Sequence, residues 1–129
     1  MIDPAWVLID RVLAVHEIQL ARHGGSTGIR DRGLLESALA RPEQIFHYEP
    51  QSSLVKLAAA YAFGIAKNHP FVDGNKRTAF LTSALFLAKN GFFLNAAQPE
   101  AVIATLRLAS GEWQEEQYAA WLQHNSVQV

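Results

Sequence analysis

Asp73-Gly74-Asn75 is a turn sequence set between two long apolar segments, and it constrains the fold more than any other feature of the chain. Before it, Ser53 to Asn68 carries Leu54, Leu57, Ala58, Tyr61, Ala62 and Ile65 at helical spacing, which predicts a helix with these residues toward the core. After it, Lys76 to Lys89 is apolar on most sides (Ala79, Phe80, Leu81, Ala84, Leu85, Phe86, Leu87, Ala88) and predicts a second helix. Asn90-Gly91 follows the last turn of that helix, where Gly or Asn commonly ends one. The turn therefore opens a helix, and His69 stands at the C-terminal end of the helix before it.

This placement has chemical consequences. The first N–H groups of a helix lack internal partners and lie at the positive end of its dipole, so they form an anion site. Gly74 allows a phosphate close to the main chain, Asn75 shares the helix start, and Lys76 and Arg77 add cations. Asp73 at the mouth suits Mg2+, which takes one or two carboxylates together with phosphate oxygens and water. His69 has a side chain whose ordinary pKa, near 6.5, lets it accept a proton at neutral pH. Phe71 is read as the anchor that fixes the loop, and with it His69, in the core.

Each residue also has a plainer reading. A single His at a helix end is more often a surface or capping residue, Asp73 and Asn75 alone pass as helix caps, and Lys76 with Arg77 as a solvated face. Joint placement around one helix start favours the phosphate-site reading.

The rest of the chain reads as helical. Pro4 to about Arg22 has Trp6, Val7, Ile9, Leu13, Ile18 and Leu20 spaced for an amphipathic helix ending before Gly24-Gly25. A loop from Gly24 to Asp31 leads to a short helix, Gly33 to Ala40, stopped before Pro42. Arg41 to Ser52 mixes Pro, aromatic and charged residues and is assigned to an irregular or hairpin-like flap. Phe92 to Leu94 forms a short extended piece, and helices over Pro99 to Leu108 and Trp113 to His124 complete an all-α set of about six helices. Trp113, Tyr118 and Trp121 are assigned to the core or an interface. No repeat, linker or low-complexity segment is present.

With 129 residues, half of them hydrophobic, the chain is long enough for one domain with a sizeable core. Its net charge of −1 argues against a nucleic-acid binder that works by neutralising phosphates, including a helix-turn-helix protein built on the short helices. Without cysteine there is neither a disulfide framework nor a thiolate metal site. No segment reads as a signal peptide or a membrane span, so the expected location is the cytoplasm.

His69-Pro70-Phe71-Val72-Asp73-Gly74-Asn75-Lys76-Arg77 resembles the signature of the Fic/Doc superfamily, and Lys76 in the eighth position resembles its death-on-curing (Doc) branch, the toxins of type II toxin–antitoxin pairs. The block from Gly24 to Pro42, including Gly28-Ile29-Arg30-Asp31, resembles the N-terminal segment of that branch. The likeness spans roughly Val12 to Leu122. It implies a Fic/Doc-type helical bundle and an ATP- and Mg2+-dependent transferase acting on a Ser or Thr of a target protein. In that reading His69 is the base, Asp73 the metal ligand, and Gly74, Asn75, Lys76 and Arg77 the phosphate binders.

Two departures bear on the reaction. The AMP-transferring form carries Gly where Lys76 stands and a second Arg where Phe80 stands, and the Doc branch is associated with phosphate transfer, ATP lying reversed with its γ-phosphate toward the target. Pro70 and Gly74, in contrast, resemble the AMP-transferring form, so adenylylation is the alternative. The resemblance further implies a translation GTPase as target, elongation factor Tu in the founding case, and a flap that holds the target by main-chain pairing. No string matches the inhibitory helix of many Fic proteins, so the implied inhibitor is a separate antitoxin whose disordered end folds as a helix on the toxin. The first helix (Trp6, Leu13) and the Trp113 to Trp121 face are candidate grooves for it, and core packing is the competing account of both. A non-catalytic nucleotide-binding module is a further alternative, in which His69 has no use as a base.

Overall fold

The computed structural model describes residues 3–129, and its described residues form six helices and one two-stranded sheet. In order these are α1 (Ile9–His23), α2 (Arg32–Tyr48), α3 (Leu54–Asn68), α4 (Asn75–Lys89), β1 (Phe92–Leu94), α5 (Gln98–Ser110), α6 (Glu115–His124) and β2 (Ser126–Gln128). The protein is an all-α bundle, and none of the helices is long and apolar enough to cross a membrane.

Helix α3 is the central element. It packs against α2, α4, α5 and α6, and Leu57 through Ala62 are buried as an unbroken run. Four alanines in that run (Ala58, Ala59, Ala60, Ala62) let neighbouring helices close in on all sides. At Gly64 the approach is tightest: a Cβ there would lie 2.9 Å from that of Ala38 on α2. Ser53 starts α3, its Oγ accepting from Lys56 N at 3.2 Å. Beside α3, Phe86 of α4 packs between Trp6 and Tyr61. Strands β1 and β2 are antiparallel, pairing Phe93 with Val127, and close the C-terminus onto the end of α4.

Two boundaries depart from the sequence reading by more than two residues. The first helix begins at Ile9 rather than Pro4, because tertiary bonds hold the residues before it extended. Val7 N–H donates to the Tyr61 hydroxyl at 3.0 Å, Ala5 and Asn90 exchange two hydrogen bonds, and Trp6 lies against Phe46 and Phe86. The expected stop before Pro42 does not occur. Helix α2 runs on to Tyr48, so most of the expected flap over Arg41 to Ser52 is helical. Pro42 forfeits one helical hydrogen bond, but it is buried, Ile45 and Phe46 pack on the core beyond it, and Arg41 forms a bidentate pair with Glu115 of α6.

The aromatic residues of the C-terminal region follow the core assignment. Tyr118 is buried, and Trp113 and Trp121 pack partly buried against the core, as do Trp6 and Leu13 at the other end of the chain.

Candidate active site

The site is assembled where α3 ends and α4 begins. His69 caps α3 in the left-handed region (φ 50°, ψ 55°) and is the only non-glycine residue with positive φ among those described. That conformation is sparsely populated for a residue with a Cβ, so neighbours must hold it. Arg30 supplies the hold: its Nε donates to His69 O and its Nη2 to Asn68 O, each at 2.7 Å. Main-chain bonds extend this contact, with Arg30 N–H and Asp31 N–H both donating to Pro70 O and Val72 N–H donating to Gly28 O. The segment between α1 and α2 thus runs antiparallel beside the loop, bridging Ile29 to Phe71. The extended segment next to the site is therefore residues 24–31, not Arg41 to Ser52.

Phe71 is 1% exposed and locks the loop from inside. Asn75 clasps its backbone, Oδ1 accepting from Phe71 N and Nδ2 donating to Phe71 O, both at 2.9 Å. The second Nδ2 proton points toward His69 Nδ1, 3.5 Å away. Against the other side of the loop, His16 of α1 stacks on the Phe71 ring (centroids 3.8 Å apart, 11° between planes) and its Nε2 hydrogen-bonds Asp73 O at 2.8 Å. One turn on, the buried Gln19 carboxamide lies against Gly74.

Helix α4 begins with an open positive end. Gly74 (φ 77°) precedes it without a side-chain cap, and Thr78 N to Gly74 O is its first main-chain bond, so the N–H groups of Asn75, Lys76 and Arg77 remain for an external acceptor. The Gly74 N–H is already taken, by Asp73 Oδ1 at 2.8 Å. Asp73 Oδ2 accepts from Ser26 N–H at 3.2 Å. Lys76 and Arg77 are exposed and belong to none of the four ion pairs among the described residues.

These groups line one cavity of about 330 Å³. His69, Asp73, Gly74, Asn75, Lys76 and Arg77 form one end, and Phe80, Leu81, Ala101, Val102, Thr105 and Leu106 the other, with Val72, His23 and Gln98 completing the lining. Asp73 is the sole carboxylate in that lining, and the described residues hold no cluster of three His, Cys, Asp or Glu side chains suited to a metal. A donor set of one carboxylate fits Mg2+ carried in with phosphate oxygens and water better than a resident metal. The arrangement offers an accessible imidazole, three helix-start donors and two cations around one anion-sized space.

Of the residues expected at the site, only Phe71 is turned away from the cavity. Sequence reasoning missed His16, Gln19, Arg30 and the α5 wall. A polar residue on the inward face of an amphipathic helix is a signal that marks His16 and Gln19; nothing in the local sequence marks Arg30 as a clamp.

The model of the Fic/DOC family matches residues 6–87, and the chain belongs to that family. It is 34% identical over 103 residues to "Protein kinase doc" of Escherichia phage P1, covering 80% of this chain and 81% of that protein. It is 43% identical over 74 residues to "Toxin Doc" of Mycolicibacterium smegmatis, covering 57% of each.

Proposed function

We propose that the protein is a Doc-type toxin that transfers the γ-phosphate of ATP to a Ser or Thr hydroxyl of a target protein, a translation factor such as elongation factor Tu, and so arrests protein synthesis in the cytoplasm. The observation that carries this reading is the meeting, in one cavity, of the exposed His69 ring, the Asp73 carboxylate and the open start of α4. Similarity to relatives named as a Doc kinase and a Doc toxin supports the toxin and kinase assignments.

In this mechanism His69 takes the proton of the target hydroxyl as its oxygen attacks the γ-phosphorus. The new O–P bond replaces the bond to the β-phosphate oxygen, and ADP leaves. The N–H groups of Asn75, Lys76 and Arg77, with the Lys76 and Arg77 side chains, stabilise charge on the transferring group. The Gly74 N–H is not counted among these donors, because it serves Asp73. Asp73 would hold Mg2+, which neutralises phosphate charge when bound. Positioning and electrostatics supply most of the rate in such reactions.

The segment at 24–31, which pairs with the loop along one edge, is the counterpart of the target-holding flap. Regulation is assigned to a separate antitoxin that folds on binding.

Adenylylation is the second reading, favoured by Pro70 and Gly74 and opposed by Lys76 and Phe80. Intact mass of elongation factor Tu after incubation with the protein, ATP and Mg2+ separates the two. A His69-dependent gain of one phosphate supports the kinase, and a gain of one adenylate replaces it with the alternative. The His69→Ala variant is expected to lose about 10²- to 10⁴-fold in rate. Full activity in that variant would remove His69 from its role as base.

A further inference from the structure

His16 reaches the loop from α1 without lining the cavity, and it touches the loop twice. Its ring is 4% exposed and lies parallel to that of Phe71, and its Nε2 is 2.8 Å from Asp73 O. A carbonyl oxygen only accepts, so Nε2 of His16 carries the proton of this bond. Among the described residues no other group donates to Asp73 O, which stands just before the first main-chain bond of α4.

Each contact leads to a different functional group. The Phe71 main chain is clasped by Asn75, whose Nδ2 lies 3.5 Å from His69 Nδ1. At Asp73 the His16 bond completes a three-point hold, since Gly74 N–H donates to Oδ1 at 2.8 Å and Ser26 N–H to Oδ2 at 3.2 Å. Those two bonds aim the carboxylate, and the His16 bond fixes the main chain from which it projects. Each carboxylate oxygen has accepted one N–H and keeps a lone pair for a cation.

We propose that His16 is a positioning residue that holds the base and the cation-binding carboxylate in one register, through its stack on Phe71 and its hydrogen bond to Asp73 O. The inference rests on the phosphotransfer reading and deepens it. Groups that act on one phosphoryl transfer must stay within about 0.5 Å of their working geometry, and a loop reaches this only where packing and outer hydrogen bonds lock it. The stretch from Pro70 to Gly74 belongs to no helix or strand, whereas His16 lies in the middle of a fifteen-residue helix and gives the loop a rigid reference. It touches neither nucleotide nor target.

Two substitutions separate the contacts, and thermal melts check that both variants fold. His16→Phe keeps a flat ring against Phe71 and removes the donor; His16→Gln keeps an N–H donor for Asp73 O and removes the ring. Calorimetry with inorganic tripolyphosphate, with and without Mg2+, reads the carboxylate without any turnover. In His16→Phe, affinity in Mg2+ is expected to fall about 10-fold while affinity without Mg2+ stays within about 2-fold, and His16→Gln should recover most of the loss. At saturating ATP and Mg2+, His16→Gln is expected to lose about 10-fold in kcat for transfer to elongation factor Tu, with KM little changed. Folded variants with unchanged Mg2+ response and unchanged kcat would overturn the positioning role and leave the phosphotransfer reading intact. A wild type that transfers no phosphate overturns that reading and this inference together. Long-range 1H–15N spectra of the unmutated protein test the bond without a variant: a protonated Nε2 on His16 is expected, and a proton on Nδ1 alone overturns the proposal.

Discussion

Arg30 donates two hydrogen bonds, from Nε to His69 O and from Nη2 to Asn68 O at 2.7 Å, and so closes the C-terminal end of α3 at the residue assigned as the base. The last carbonyls of a helix have no internal partners, and a guanidinium satisfies two of them with one planar group. The positive φ of His69 is thus held by a side chain that approaches from a segment 38 to 39 residues earlier in the chain.

Replacing Arg30 by Met is expected to release this end of α3. The exposed setting reduces the usual value of charge-assisted bonds, so the stability loss should be about 1–2 kcal/mol, with a drop of about 10-fold in transfer rate and little change in ATP affinity. Denaturant melts and a kcat-against-KM comparison on Arg30→Met and Arg30→Lys check this. A loss of stability with unchanged kcat would confine Arg30 to a structural role.

Gly74→Ala meets two obstacles. The φ of 77° is unfavourable for any residue with a Cβ, and that Cβ would lie 1.9 Å from Nε2 of Gln19, whose side chain is buried. The combined cost is expected to exceed about 2 kcal/mol, with weakened tripolyphosphate binding. Adding Gln19→Ala should recover part of the stability, because it removes the clash and leaves the φ strain. Thermal melts of the two single variants and the double variant measure that coupling, and strictly additive losses would show that Gln19 is not the obstacle.

Alkaline pH should unfold the protein through two buried phenols. Burial pushes Tyr61 and Tyr118 up to about 12 from 10.0, against the lowering effect of the Val7 N–H on the first and of the Thr105 and Ser83 hydroxyls on the second. The folded state binds these protons more tightly than the unfolded chain, so the associated stability is complete below pH 10 and is lost as pH rises toward 12, about 2–3 kcal/mol for each group. Urea melts between pH 8 and pH 12 should show this fall, and Tyr118→Phe should flatten it. An unchanged slope in that variant would assign the alkaline limb elsewhere.

Short-range signals carried the sequence reading where it succeeded. Ser53, Gly74 and the Asn90-Gly91 pair stop or start helices through their own caps and dihedral preferences, and α3 and α4 match the reading to within a residue at each end. Phe92 to Leu94 is extended as expected, although its partner strand at Ser126–Gln128 was not foreseen, since three residues carry too little periodicity to announce a strand.

The all-α class, the two apolar helices and the residue types that surround their junction are legible in the chain alone, because capping and periodicity act over a few residues. Long-range packing sets the rest: it carries α2 through Pro42, where burial and the Arg41–Glu115 pair offset a missing hydrogen bond, and it keeps residues 4–8 extended on Tyr61 and Asn90. It also decided which groups support the loop. His16, Gln19 and Arg30 reach His69, Asp73 and Gly74 across 39 to 57 positions of chain, and contacts between such distant residues follow from how helices pack rather than from any local pattern.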